Sequence, residues 1–295
     1  MSDHDHEHGD TPLQAHDRLP LTCTRSGSCC HGKMVWLNPW ELACLAHAHG
    51  ETVAAFSARC CEFGGIRLRF DGPPGWRGLP ACRLYHPEQG CRVHAARPLA
   101  CRLYPLARER RGKQTGYFHQ GRVFPCLAGC PEVVALPAQS VAEYITNQAT
   151  AAGEQAQDAY LEVMQELADG AFVLLVEGGL AASGERRTLP RWRALSEAHP
   201  RALSEAIPPE WQEALTAPAL EHELEDPARF AVSHFTLLQA RAQECFGALR
   251  DHDRLRDASC LMMALALHLA RALGAEPREL GARWISTAKK HGAHE

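Results

Sequence analysis

The chain has 295 residues, 45% of them hydrophobic and 22% charged, a composition typical of globular proteins that excludes a disordered chain. Thirteen residues are Cys and eleven of these lie within the first 130 positions, but a small secreted disulfide scaffold is excluded, because such scaffolds are short and rich in Cys throughout. The net charge of -4 hides a difference between the two parts of the chain. Residues 1–130 are basic, with 16 Lys and Arg against 11 Asp and Glu, and residues 131–295 are acidic, with 15 Lys and Arg against 24 Asp and Glu.

The first ten residues, MSDHDHEHGD, carry acidic and His side chains where an export signal carries positive charge followed by an apolar run. We therefore expect a cytoplasmic protein, in which thiols stay reduced and clustered Cys residues bind metal. Residues 1–20 are expected to form a disordered, His-rich tail. The longest apolar run is shorter than the roughly 20 residues that a membrane span requires, so no membrane attachment is expected.

Residues 21–137 are rich in Gly and Pro and predict a loop-rich Cys-cluster domain that binds metal. Within it, Pro39–His49 has apolar residues at helical spacing and predicts a helix. Alternating apolar residues predict a short strand in Gly64–Phe70, and Tyr117–Pro125 predicts a hairpin with its turn near Gln120. Elements this short bury little apolar surface.

Residues 138–295 predict a helical domain, so the expected fold is mainly α: an irregular, loop-rich Cys-cluster domain with few short strands, followed by a helical half. Ser140 and Glu143 have the spacing of a capping box at a helix start. Helical spacing continues in Ala156–Val176, and a section interrupted by Pro follows. The last predicted helices are Ala228–Arg250, Arg254–Leu273 and Pro277–Lys290.

Eight Cys residues in three local groups are the candidate metal ligands, enough for two four-thiolate centres. The adjacent Cys29 and Cys30 side chains point to opposite sides of the chain, so they can serve two different centres. Three further Cys residues lie in apolar helical sequence and are expected to be small core residues: Cys44, Cys245 and Cys260. The roles of Cys60 and Cys61 stay open. The candidate ligands are Cys23, Cys29, Cys30, Cys82, Cys91, Cys101, Cys126 and Cys130.

The spacing of these residues bears on the kind of metal. Only Cys126 and Cys130 have the short spacing of a zinc knuckle. Cys82, Cys91 and Cys101 are separated by eight and nine residues, which suits ligands that reach a larger inorganic core from separate loops. Each of these three is followed by Arg, which favours a strongly anionic centre such as an iron–sulfur cluster over a neutral zinc site. The residues expected to balance this charge or bind an anionic substrate are Arg83, Arg92, Arg97 and Arg102.

Two motifs carry a resemblance to a known family: the run from Cys23 to Cys30, CTRSGSCC, and the run from Arg97 to Pro105, RPLACRLYP. With the other cysteines up to residue 131, they resemble a bacterial cysteine-cluster family described as zinc- or iron-chelating, which includes the flagellin lysine N-methylases. In the family pattern a further Cys commonly stands at the position of Ser26. The resemblance implies methyl transfer from S-adenosylmethionine to a protein lysine near a metal centre, and the lost thiol at Ser26 would leave one metal position open to substrate.

The leading hypothesis is a cytoplasmic metal-binding protein that has one or two Cys-ligated centres and supports protein modification. Iron–sulfur is favoured over zinc as the content of these centres. Two alternatives stay open: an S-adenosylmethionine-dependent protein lysine N-methylase, and a non-enzymatic interaction module or electron carrier stabilised by zinc or a cluster. No catalytic residue is identified. We expect a protein substrate or partner and no nucleic-acid partner, because the basic stretch Arg59–Arg122 lacks a nucleic-acid motif and an aromatic stacking pattern.

Overall fold

The structure is a computed structural model that describes residues 12–19, 27–112, 114–119 and 138–295. The chain divides into two compact units, the first formed by Met1–Val35 with Leu68–Glu154 and the second by Trp36–Arg67 with Gln155–Glu295. The expected mainly α fold is confirmed, since the first unit is loop-rich with short strands and helices dominate the second. Because residues 36–67 group with the later helices, the two units interleave along the sequence.

The regular elements within the described residues are numbered in chain order. The strands are β1 (Arg18–Leu19), β2 (Cys61–Glu62), β3 (Arg67–Leu68), β4 (Tyr85–His86), β5 (Gly90–Cys91), β6 (Leu106–Arg111), β7 (Gln114–His119) and β8 (Gln139–Ser140). The helices are α1 (Pro39–His49), α2 (Val53–Cys60), α3 (Leu99–Leu103), α4 (Val141–Asn147), α5 (Ala151–Val176), α6 (Thr188–Glu197), α7 (Pro200–Glu205), α8 (Pro209–Thr216), α9 (Pro227–Phe246), α10 (His252–Ala272) and α11 (Pro277–Lys290).

Antiparallel two-stranded pairs replace an extended sheet in the first unit: β1 pairs with β8, β4 with β5, and β6 with β7. A small apolar core of Leu106, Val141 and Tyr144 lies where β6 meets α4. Leu13 packs against this core, and its N–H donates to the Tyr117 carbonyl oxygen at 2.7 Å. Within the expected tail, Leu13 thus forms a bridge to Tyr117 and Arg18–Leu19 forms a short strand, and the rest of that tail apart from residues 12–19 lies outside the described residues.

The first residues of the hairpin predicted at Tyr117–Pro125 form a strand, since Tyr117–His119 belongs to β7, and β7 pairs with the preceding strand β6. Gly112 has a φ of +62°, a conformation that Gly adopts without steric penalty, and the chain reverses at this point. The strands β6 and β7 therefore form a hairpin that the sequence pattern does not predict. The later residues of that prediction lie outside the described ranges.

The second unit is built around α10, which is buried along most of its length and packs against α6, α7 and α11. The bounds predicted for Pro39–His49 and Pro277–Lys290 are confirmed to the residue, because both helices begin with Pro at the first helical position. The capping box of Ser140 and Glu143 also forms. No helix of the described residues is long and apolar enough to cross a membrane.

The cysteines outside the candidate ligand set lie in the second unit, and their burial differs. Cys60 and Cys61 are buried, while Cys44 and Cys260 are partly buried. The core position expected for Cys245 is wrong: this residue is exposed. It lies near the end of α9, where the neighbouring Glu244 is exposed as well, so the apolar sequence around Cys245 does not mark a buried face.

Candidate metal centre

A tight turn presents the two adjacent candidate ligands, Cys29 and Cys30. This 3₁₀ turn, Ser28–Cys30, follows Gly27, whose φ of +77° disfavours any residue with a side chain. A Cβ at Gly27 would also overlap the ring of Tyr85. The His31 Nδ1 lies 2.8 Å from the Gly27 carbonyl oxygen and donates to it, so this ring nitrogen stabilises the turn. Gly27 thus combines the backbone angle and the close packing that the Cys-bearing turn requires.

Cys82 lies beside Cys30 because the two backbones are hydrogen-bonded. The Cys82 N–H donates to the Cys30 carbonyl oxygen at 2.7 Å. One residue away on each strand, His31 and Ala81 form an antiparallel bridge. These contacts fix the first and second Cys groups as neighbours, although more than 50 residues separate them in the sequence.

Cys91 is placed by the β4–β5 pair, in which it lies opposite Tyr85. The Tyr85 ring packs against Gly27 and meets the His31 ring edge-on, with 5.0 Å between centroids. One aromatic side chain therefore connects the strand that carries Cys91 with the turn that carries Cys29.

Cys101 lies on the short helix α3 and is the candidate ligand whose electrostatic surroundings are best defined. The pKa of its thiol is raised to about 12, mainly by burial, and the Cys29 and Cys91 thiols act in the same direction. The positive charges of Lys33 and Arg97 act in the opposite direction. Cys29, Cys91 and Cys101 are therefore within electrostatic reach of one another, and two cations act on the same site.

The structure describes five of the eight candidate ligands, and it brings them together in two sets. Cys29, Cys91 and Cys101 share one electrostatic neighbourhood, and Cys30 and Cys82 are joined through their backbones. Within the described ranges, no group of three or more His, Cys, Asp or Glu side chains is arranged to hold a metal ion. The candidates Cys23, Cys126 and Cys130 lie outside those ranges, as does Ser26.

The donor chemistry of the described thiols suits zinc or iron, both of which accept thiolate ligands. Thiolates in a desolvated site carry uncompensated negative charge, and a bound metal ion would neutralise it. Cys29, Cys91 and Cys101 are the described residues that would be among the ligands of such an ion. The assignment of all eight thiols to one or two centres stays a prediction.

Arg102, which the sequence predicts to balance charge, makes its contacts to backbone carbonyl groups. Its Nε donates to the Arg97 carbonyl oxygen at 2.8 Å, and its Nη1 donates to the Gln148 carbonyl oxygen at 2.9 Å. Its Nη2 also donates to the Ala95 carbonyl oxygen. These bonds connect the helix that carries Cys101 with the loop before it and with the end of α4.

The other three predicted Arg residues have different surroundings. Arg83 pairs with Asp71, with 2.8 Å between Nε and Oδ1, and this hydrogen bond lowers the pKa of the carboxyl group. Arg97 donates to the Gln148 side chain at 3.0 Å and acts on the Cys101 thiol, whereas the Arg92 side chain is exposed. The role of these residues toward a metal centre or an anionic substrate stays a prediction.

Lys33 is the cation beside the thiols that sequence reasoning missed. Its Nζ lies 2.9 Å from the centroid of the Tyr104 ring, three residues after Cys101. This pairing depends on the tertiary structure and has no local pattern. A usable signal was the rarity of the residue type, because Lys33 follows the double Cys closely and is one of only four lysines in a chain rich in Arg.

Residues 22–120, about a third of the chain, match a protein family described as "Putative zinc- or iron-chelating domain". The family's short name, CxxCxxCC, gives a pattern that this chain fits from Cys23 to Cys30, except that Ser26 replaces the second Cys. Neither a curated protein nor a solved structure matches the chain. The match supports the cysteine-cluster family and a metal-binding role, and its description covers both zinc and iron.

Proposed function

We propose that the first unit holds one or two Cys-ligated metal centres, most favourably iron–sulfur clusters, and that the protein supports protein modification in the cytoplasm. The observation that carries the metal centre is the electrostatic neighbourhood of three thiols from three separate elements, Cys29, Cys91 and Cys101. Metal binding would explain why thiols on three separate elements act electrostatically on one another.

The high pKa of the Cys101 thiol supports a metal rather than a set of free thiolates. A thiol whose pKa is raised to about 12 by burial is protonated at neutral pH and is a poor nucleophile. A metal ion displaces the thiol proton and offsets the cost of the buried negative charge. A reactive, redox-switching thiol would instead have a lowered pKa and an exposed sulfur.

Two features favour an iron–sulfur centre over zinc. The three thiols arrive from a 3₁₀ turn, a strand and a helix rather than from two short knuckles, which suits a core larger than one ion. Two cations, Lys33 and Arg97, act on the Cys101 thiol, and a cluster held by thiolates carries net negative charge that such cations stabilise.

The test is anaerobic purification of the full chain followed by iron, sulfide and zinc analysis with absorption spectra. We expect iron and sulfide in the wild-type protein and a loss of at least half of the metal in Cys101→Ser. Cys260→Ser is the matched control, because Cys260 is also a partly buried thiol with a pKa raised by burial, to about 11, but lies in the helical unit. Folded wild-type protein without metal would contradict the proposal.

The protein-modification part of the proposal rests on the family resemblance and has its own test. Calorimetric titration of S-adenosylmethionine into the metal-loaded protein should show binding if the chain is a protein lysine N-methylase. Absence of binding would remove methyl transfer while leaving the metal centre in place. The centre would then serve as a structural support or an electron carrier.

A further inference from the structure

Lys33 lies on a backbone segment that is fixed on both sides. Before it, the Gly32 N–H donates to the Pro80 carbonyl oxygen at 3.0 Å. After it, the Val35 carbonyl oxygen accepts from the Leu68 N–H at 3.0 Å. The Lys33 Cα is therefore placed by hydrogen bonds to two other chain segments, and its side chain starts from a defined position.

The backbone of Tyr104, whose ring receives the Lys33 ammonium group, is also fixed. The Tyr104 carbonyl oxygen accepts a hydrogen bond of 2.5 Å from the hydroxyl of Tyr144, a residue of the small core that is only 1% exposed. An ammonium group over an aromatic face is attracted by the electron density of the ring. The contact holds a long, flexible side chain in one place, at the end of the helix that carries Cys101.

The Lys33 ammonium group is held near the thiols of the candidate ligands. Lys33 follows Cys30 by three residues, and the Tyr104 ring under its ammonium group follows Cys101 by three residues. In agreement with this placement, the charge of Lys33 lowers the pKa of the Cys101 thiol. Arg102, the residue that directly follows Cys101, donates to three carbonyl groups instead. The sequence places an Arg after each of Cys82, Cys91 and Cys101, yet the strongest cationic effect on Cys101 comes from a Lys on another segment.

We propose that Lys33 is a positioning residue of the thiol-ligated centre: the Tyr104 ring holds its ammonium group beside Cys101, where it balances the negative charge of the metal-bound thiolates. This inference rests on the proposed function, because only a thiolate centre has the negative charge to be balanced. Lys suits this role because its charge is compact, whereas Arg spreads its charge over a planar group suited to paired acceptors.

The experiment compares three variants with the wild-type protein after anaerobic purification. Lys33→Met removes the charge with little change in volume, Lys33→Arg keeps the charge, and Lys290→Met is the control at an exposed lysine of the helical unit. We expect Lys33→Met to lose metal to a competing chelator at about 10-fold lower chelator concentration, the lower end of the effect of outer-shell substitutions. Its reduction potential should become more negative, because a nearby positive charge favours the reduced cluster. Lys33→Arg should recover most of both changes, and Lys290→Met should match the wild type.

The outcomes separate this inference from the proposed function. Wild-type protein without metal overturns both. Wild-type protein with metal, together with unchanged metal retention and potential in Lys33→Met, overturns the role of Lys33 alone. If Lys33→Met fails to fold, Tyr104→Leu decides the matter, because it keeps the charge but removes the ring that holds it. Changes in metal retention and reduction potential in Tyr104→Leu that are smaller than those expected for Lys33→Met but in the same direction support the proposal. Metal retention and a reduction potential equal to those of the wild type overturn it.

Discussion

Arg102 is the clearest case of one side chain that organises the neighbourhood of a candidate ligand. Its guanidinium group donates to carbonyl oxygens of Arg97, Gln148 and Ala95, so it connects three backbone segments near Cys101. The planar guanidinium offers five donors in a fixed geometry, and a Lys ammonium group cannot reach three separated acceptors from one position. The role of Arg102 is therefore to hold α3 in place.

Arg102→Lys should lower the free energy of unfolding by about 2 kcal/mol. The reason is that at least two partly buried carbonyl groups lose their charged hydrogen-bond donor. Arg92→Lys is the matched control, since Arg92 also follows a candidate Cys but its side chain is exposed. Denaturant unfolding monitored by fluorescence measures both changes. Equal stability of the two variants would show that the carbonyl contacts of Arg102 contribute little.

Among the elements, those with local signals were predictable and those with distant partners were not. The helices Pro39–His49 and Pro277–Lys290 follow from Pro at the first helical position and from apolar spacing. The pairing of the strand at Tyr117 with β6 was not predicted, because β6 is mostly charged and lacks an alternating pattern. The residues of the candidate site also differ in whether the sequence predicts them. The density of Cys predicts the thiols, whereas tertiary packing brings the cation Lys33 to Cys101.

Helix α10 carries a second feature that follows from burial. His268 is 0% exposed, and neither ring nitrogen has a hydrogen-bond partner among the described residues. Burial, with a smaller contribution from the charge of Arg271, lowers the pKa of His268 from 6.5 to about 4. The side chain is therefore neutral in the folded protein throughout the range in which an exposed His would gain a proton.

This shift makes the protein less stable in acid. Below pH 6.5 the unfolded chain binds a proton at His268 that the folded chain does not bind until about pH 4, so stability is lost as the pH falls through this window. The contribution at pH 5 is about 2 kcal/mol relative to pH 7.5. His268→Leu should remove this part of the loss, as measured by denaturant unfolding at both pH values. An identical pH dependence in the variant would mean that His268 does not titrate as described.

For the whole molecule, the two units differ in what can stabilise them. The helical unit surrounds α10 with buried apolar side chains, whereas the described part of the first unit consists mainly of loops, two-stranded pairs and short helices. A small core seldom supports a fold without cross-links or a bound metal. The stability of the first unit should therefore depend on its centre.

Removal of metal by a chelator should unfold the first unit and leave the second folded. Far-UV circular dichroism should keep most of its helical signal, because the long helices α9, α10 and α11 lie in the second unit. Hydrogen exchange should show lost protection in β6, β7 and α3 but not in α10. Parallel loss of protection in α10, or no loss in either unit, would contradict a dependence confined to the first unit.

The interleaving of the units limits what truncation can achieve. The chain passes from one unit to the other after Val35, after Arg67 and after Glu154, so no single cut releases either unit with all of its residues. The family match at residues 22–120 includes Trp36–Arg67, which group with the late helices, so a fragment made from the matched residues would lack part of both units. Recombinant work on the candidate centre therefore requires the full-length polypeptide, and substitutions rather than deletions are the appropriate tools for dissecting it.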